Sequence, residues 1–236
     1  MIDTNKLLEQ FLGGRTGNAP AQNSGTSAGF PGAGGLPGAG FTGGGFAGGA
    51  AMGGILGLLV GSKKMRKMSG GLVGYGGAAA LGALAHKAYQ NWQQGNQVAT
   101  APVAGAADLQ GVDSRFMPGA APGGFTLVLI NAMIGAAKAD GHIDAREQTA
   151  IFEHVEKLAL DAESKAFVFD ALNKPADMAA IAAGVQGLEQ ATEVYLASRL
   201  IADGDHPAER MYMEALAHRL KLPAELVAHL EHQVDP

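Results

Sequence analysis

The sequence predicts an all-α protein, and three observations carry that prediction. From Phe125 onward apolar residues recur at helical spacing, and no stretch alternates with the period of two expected of a half-buried strand. Asp, Pro and Gly punctuate this half of the chain where helices start and stop. A helix–acidic turn–helix unit also occurs twice. Ala139-Asp140-Gly141 is echoed by Ala202-Asp203-Gly204, and Glu147, Leu158, Leu160, Ala162 and Glu163 by Glu209, Leu220, Leu222, Ala224 and Glu225, 62 residues on. The expected architecture is a bundle of about seven helices over residues 124–236, behind a glycine-rich, membrane-associated helical segment.

Taken in order, residues 1–12 read as a short amphipathic helix with Leu7, Leu8, Phe11 and Leu12 on one side and Asp3 or Thr4 as N-cap. No basic n-region followed by an apolar core is present in this stretch, so it is not expected to act as a secretory signal. Gly13 to about Gly40 is Gly/Ala/Pro/Ser-rich and reads as a flexible tether, so residues 1–40 form a helix plus tether. Phe41–Gly61 is uncharged and, at about 20 residues, of the length that spans a bilayer as helix. Gly45, Gly49, Gly53, Gly57 and Gly61 fall at every fourth position and line one helical face, the spacing that lets helix backbones approach in lipid.

The basic cluster Lys63-Lys64-Met65-Arg66-Lys67 follows, then a second uncharged run, Met68–Ala85, with Gly70, Gly74, Ala78 and Gly82 at the same spacing. Residues 41–92 are therefore expected to be one or two membrane segments that form a homo-oligomer through the glycine face. The basic cluster is placed on the cytoplasmic side. A single span leaves the C-terminal domain in the cytoplasm, and Tyr89 and Trp92 suit a membrane interface. Residues 93–123, with Pro102, Pro118 and Pro122, read as a linker.

In the helical domain, 124–236, the first helix is expected from Phe125 to about Lys138. Asp144 as N-cap and Glu147 three residues later form a capping-box pattern, ahead of a helix burying Ile151, Val155 and Leu158. Asp161 caps the next, with Phe167, Val168 and Leu172 inward; Pro175 opens a short alanine-rich helix around Met178 and Ile181. A further helix runs from about Leu188 to Ile201. Pro207 sits at N1 of the one after it, whose face is Tyr212, Met213, Leu216 and Leu220. Pro223 opens the last, with Leu226, Val227 and Leu230.

Composition narrows the function. Of the 236 residues 36 are Gly and none is Cys, which excludes disulfides, thiolate zinc and a thiol nucleophile. The formal net charge of −5 is unevenly spread. Residues 1–122 carry eight Lys/Arg against four Asp/Glu, and residues 123–236 nine against eighteen. So acidic a domain is a poor binder of phosphate backbones, and nucleic acid is not expected as a partner.

Its acidic turns are the candidate site. Asp140, Asp144 and Glu147 in the first copy and Asp203, Asp205 and Glu209 in the second offer oxygen ligands. Such sets suit Ca²⁺ or Mg²⁺, and His142 and His206 would admit Mn²⁺ or Zn²⁺. Neither turn has the EF-hand spacing. Capping and the helix dipole account for Asp144 and Glu147, but not for Asp140 and Asp203, which end the preceding helices where negative charge is disfavoured. His218 and His229, four residues after Glu214 and Glu225, read as solvent-side pairs rather than ligands. No metalloprotease, nucleophile-elbow or phosphate-loop motif is present, so no enzymatic activity is expected.

The stretches AAKADGHIDAREQTAIFEHVEKLAL and RLIADGDHPAERMYMEALAHRLKLP resemble the TerB-like domain of tellurite-resistance proteins over about residues 125–233. The glycine-rich half with KKMRK resembles the YebE-type branch of bacterial inner-membrane proteins. The resemblance implies a helical bundle whose acidic clusters bind metal and a stress-linked role at the membrane without assigned catalysis. Residue by residue, it carries over to Asp140, Asp144, Glu147, Asp203, Asp205 and Glu209; His206 stands where the first copy has Asp144, so the two sites need not be equal. The expected function is a membrane-tethered, non-enzymatic module that binds a divalent cation or an unknown protein partner through these turns in an envelope or metal-stress response. The alternative is a structural, oligomerising membrane scaffold without ligand.

Overall fold

The computed structural model describes residues 2–12, 77–117, 124–141, 149, 151–153, 155–156, 160–202 and 204–236. Among them every regular element is helical. The α-helices are α1 (Thr4–Leu12), α2 (Gly77–Gln93), α3 (Gly124–Ala137), α4 (Ala162–Asn173), α5 (Met178–Ala183), α6 (Gly187–Ile201), α7 (Pro207–Arg219) and α8 (Ala224–Val234). Three short 3-10 turns, Val98–Thr100, Ala106–Gln110 and Ser114–Phe116, lie between α2 and α3. Residues 149, 151–153 and 155–156 are also helical, and Ile151 and Val155 are buried.

Among the described residues the order and spacing of the helices follow the duplication seen in the sequence. α3, the helical residues around 151–156 and α4 recur as α6, α7 and α8. Gly124 and Gly187, which open α3 and α6, stand 63 residues apart, whereas Ala162 and Ala224, which open α4 and α8, stand 62 apart. The second acidic turn is one residue shorter. The homologous helices α3 and α6 form the most extensive helix pair of the fold. α6 is buried on nearly every side, packing also on α2, α7 and α8.

Local chemistry sets the helix ends. The Asp161 carboxylate accepts the Ser164 N–H at 2.8 Å and that of Asp177 accepts the N–H groups of Ala179 and Ala180 at 2.9 and 3.0 Å, each satisfying donors that a helix N-terminus leaves open. Pro207 occupies the first turn of α7, where its missing N–H costs nothing. Pro223 precedes α8 as its cap, and α5 begins after Asp177 rather than at Pro175.

Several expectations are corrected by the packing. The first 12 residues are not set apart with a tether: α1 lies on α2 and α3, and Leu7, Leu8, Phe11 and Leu12 are at most 6 % exposed. Asp3 does cap this helix, its Oδ1 accepting the Lys6 N–H at 3.1 Å. The C-terminal part of the expected membrane region, 77–92, is likewise a core element, since α2 packs on α1, α6 and α8. Tyr89 and Trp92 meet each other with ring centroids 5.5 Å apart, and Tyr89 meets the fully buried Phe116 at 5.3 Å.

Gly82 has its own reason within the chain. A Cβ there would lie 2.0 Å from the Phe116 carbonyl oxygen, so this small residue admits a crossing backbone. Among the described residues no helix is long and apolar enough to cross a membrane. The run 41–61, with Gly45, Gly49, Gly53, Gly57 and Gly61, lies outside the described residues.

Nor is the described part of 93–123 a linker. Residues 96–117 form a strap laid over α2 and α8. Asn91 Nδ2 donates to the Pro102 carbonyl at 2.9 Å, Ala104 N–H donates to Gln233 Oε1 at 2.8 Å, and Lys87 pairs with Asp108 at 3.1 Å. Its own Ala101, Ala104 and Phe116 are buried against the helices below.

Candidate functional site

The first acidic turn grows directly out of α3. After Ala137 the chain makes a tight turn, with Gly141 N–H donating to the Lys138 carbonyl at 3.0 Å and Gly141 at φ 83°, a left-handed conformation that favours glycine. Asp140 is half-buried there. Lys138, its neighbour, does not face the turn. Its ammonium donates to the carbonyls of Leu172 at 2.7 Å and Lys174 at 2.5 Å, at the C-terminal end of α4. A cation is favoured at that end of a helix dipole, and partial burial lowers the Lys138 pKa.

The second turn is built differently. Arg199, on the last turn of α6, is 6 % exposed, and its Nη1 donates to the Ala202 carbonyl at 3.0 Å. Its Nη2 lies so close beneath the turn that a Cβ on Gly204 would stand 3.0 Å from it. The same guanidinium pairs through Nε with Glu231 and through Nη2 with Asp235 at 2.5 Å, tying the end of α6 to the end of α8. The Tyr195 hydroxyl donates to the other Glu231 oxygen at 2.6 Å. Burial, with the Glu231 charge second, pushes the Tyr195 pKa up. At offset 63 the position corresponding to Arg199 is Ala136, so the first turn lacks this arginine.

Of the sequence-predicted site residues, Asp140, Asp205 and Glu209 are described, and each is already engaged with neighbouring groups. Asp205 is exposed and Glu209 half-buried in the first turn of α7. Asp144, Glu147 and Asp203 lie outside the described residues, as does His142. His206 occupies the N-cap of α7 without a side-chain cap hydrogen bond. Among the described residues no group of three or more His, Asp or Glu side chains is arranged to hold a metal ion.

Sequence reasoning missed that three ionisable side chains, Glu193, Arg199 and His229, are buried. Glu193, in mid-α6, is 0 % exposed and neither carboxyl oxygen has a hydrogen-bond partner; burial pushes its pKa up to about 9. It is therefore a neutral carboxylic acid at pH 7. Arg199 is the second. No local signal marked either one, since α6 carries Glu189, Gln190, Glu193 and Arg199 along its length and is buried by the elements packed around it. His229 is the third. It is 3 % exposed rather than paired at the surface, and burial lowers its pKa. His218, by contrast, is exposed.

A cleft of about 290 Å³ opens between α3, α4 and α5. Its walls include Val128, Asn131, Ile134, Phe167, Ala171 and Ile181, and at its mouth Lys174 pairs with Asp170 at 2.7 Å. The lining is suited to apolar contact rather than to proton transfer.

A protein-family profile described as "Protein of unknown function (DUF533)" matches residues 45–234. A protein of Yersinia enterocolitica described as "Uncharacterized protein in ampR 5'region" is 32 % identical over 106 residues, which is 45 % of this chain and 76 % of the relative. No solved structure matches the chain.

Proposed function

We propose the following role for this chain, which belongs to the DUF533 family of proteins of unknown function: a membrane-tethered, non-enzymatic, TerB-like helical module. It binds a divalent cation, a basic protein partner or both through its duplicated acidic turns, in an envelope or metal-stress response. The observation that carries this reading is the duplication itself. Two copies of one three-helix unit pack through α3 and α6, and each of those helices runs into an Ala-Asp-Gly turn. Tethering at the bacterial inner membrane rests on the uncharged run 41–61, its glycine face and the KKMRK cluster after it. On this reading the helical domain faces the cytoplasm.

On this reading the two turns do different work. The second already has a fixed positive charge beneath it, the Arg199 guanidinium, which opposes a second cation there. The first has its lysine turned away to the end of α4. On this reading the first turn, with Asp140, Asp144 and Glu147, is the better cation site, and the second, with Asp203, Asp205 and Glu209, has beneath it an arginine that is paired with Glu231 and Asp235.

Calorimetric titration of the detergent-solubilised full chain with Ca²⁺, Mg²⁺, Mn²⁺ and Zn²⁺, and separately with a basic peptide, tests this. Saturable heat lost on Asp140→Asn supports the reading, and no heat with any titrant removes it. A purely structural, oligomerising scaffold is then what remains, favoured by the capping work of Asp161 and Asp177. A reporter fused to the C-terminus tests the membrane side: phosphatase activity there contradicts the cytoplasmic assignment.

A further inference from the structure

The two halves of the duplication differ in what covers them. On α8, His232 hydrogen-bonds the Ala101 carbonyl at 3.0 Å, and the Gln233 amide grips two peptide groups at once. Its Oε1 accepts from Ala104 N–H at 2.8 Å while its Nε2 donates to the Pro102 carbonyl at 3.3 Å. The segment held this way, Ala101-Pro102-Val103-Ala104, is extended, small and apolar, and its two outer alanines are buried. Moved back 62 residues, His229, His232 and Gln233 become Phe167, Asp170 and Ala171 of α4. Those three residues line the cleft between α3, α4 and α5. The helix face that the chain seals with its own strap in the second copy therefore corresponds to the face that, among the described residues, lines the cleft in the first.

We propose that this cleft is a docking groove for an extended, proline-containing stretch of small apolar residues on a partner protein, seated as residues 101–104 are seated on α8. Where α8 offers the Gln233 amide to the peptide backbone, the cleft offers the half-buried amide of Asn131 from its α3 wall. Val128, Phe167 and Ile181 supply the apolar contact that Ala101 and Ala104 find in the second copy. Specificity comes from the cleft's modest size, about 290 Å³, which admits Ala, Pro or Val side chains more readily than aromatic ones. This assignment does not depend on the acidic turns and is tested apart from them.

The probe is a synthetic peptide of residues 97–106, added to the isotope-labelled full chain and followed by NMR. Saturable shifts clustered at Val128, Asn131, Ala171 and Ala180 are expected. Asn131→Ala should weaken binding on the order of tenfold, the worth of one or two backbone hydrogen bonds. Ala171→Phe, which fills the cleft, should abolish it. Shifts confined to Gln233 and Ala104 would mean that the peptide only exchanges with the chain's own strap, and would overturn the proposal. So would the absence of any saturable shift in the wild-type chain, or equal affinity in both variants, each checked as folded by circular dichroism.

Discussion

Replacing Glu193 by leucine is expected to stabilise the protein, and by an amount that depends on pH. The carboxyl group is fully buried in α6 with both oxygens unpartnered, and its pKa stands at about 9 against an ordinary 4.5. Between those two values the folded protein holds a proton that the unfolded chain has released. Stability therefore falls as pH rises through this window, by about 1.4 kcal/mol per pH unit. From pH 4.5 to 7 the loss amounts to about 3 kcal/mol. Leucine, of similar volume and without polar atoms, removes that loss and the unsatisfied oxygens together. For a domain of this size about 3 kcal/mol corresponds to a rise in Tm of about 10 °C. Urea denaturation followed by circular dichroism at pH 5, 6, 7 and 8 reads the effect directly. The wild-type chain should lose stability steadily across the series relative to Glu193→Leu, and Glu193→Gln should remove the same slope. Parallel pH profiles for wild type and Glu193→Leu would show that Glu193 ionises normally in the folded protein, and the reasoning would fail.

Other consequences are as definite. Arg199→Met should cost about 1–2 kcal/mol in urea unfolding, because it frees the buried Ala202 carbonyl and removes one partner each from the partly solvated Glu231 and Asp235. The same variant should raise the cation affinity of the second acidic turn, measured by calorimetry. Gly82→Ala should cost about 1–3 kcal/mol, since the rigid Phe116 carbonyl stands 2.0 Å from where the new methyl would be. Trp92 fluorescence should change with it, because Trp92 meets Tyr89 in a tilted contact and Tyr89 packs on Phe116. An unaltered spectrum and stability would refute the close crossing.

Much of the fold could be read from local chemistry. Asp161 caps its helix and Pro207 opens α7 where the sequence places them, and α3 and α6 end within a residue of the predicted Lys138 and Ile201. Such signals act over one turn of chain. The strap was not legible because nothing local marks it. Residues 96–117 carry the Pro, Gly and Ala of a linker, and what holds them is distant: Gln233, 129 residues from Ala104, and the buried ring of Phe116 under α2. The same blindness hid the purpose of Gly82, whose four-residue spacing suits close helix packing within a membrane but which serves a backbone crossing inside the described fold.

The acidic turns were visible as pattern but not as electrostatics. Arg199 is four residues before Asp203 in sequence, yet only the fold shows its guanidinium lying under the turn with Glu231 and Asp235 as counter-charges.

The central functional claim is that the first turn takes a divalent cation more readily than the second, which has the Arg199 guanidinium beneath it. Thermal unfolding of the full chain against rising concentrations of each cation tests it most directly, because a ligand bound to the folded state raises Tm with the logarithm of its concentration. With the effective cation, Tm should climb in the wild type and in Asp205→Asn and stay flat in Asp140→Asn. A climb lost in Asp205→Asn but kept in Asp140→Asn, or no climb with any cation, would contradict the claim.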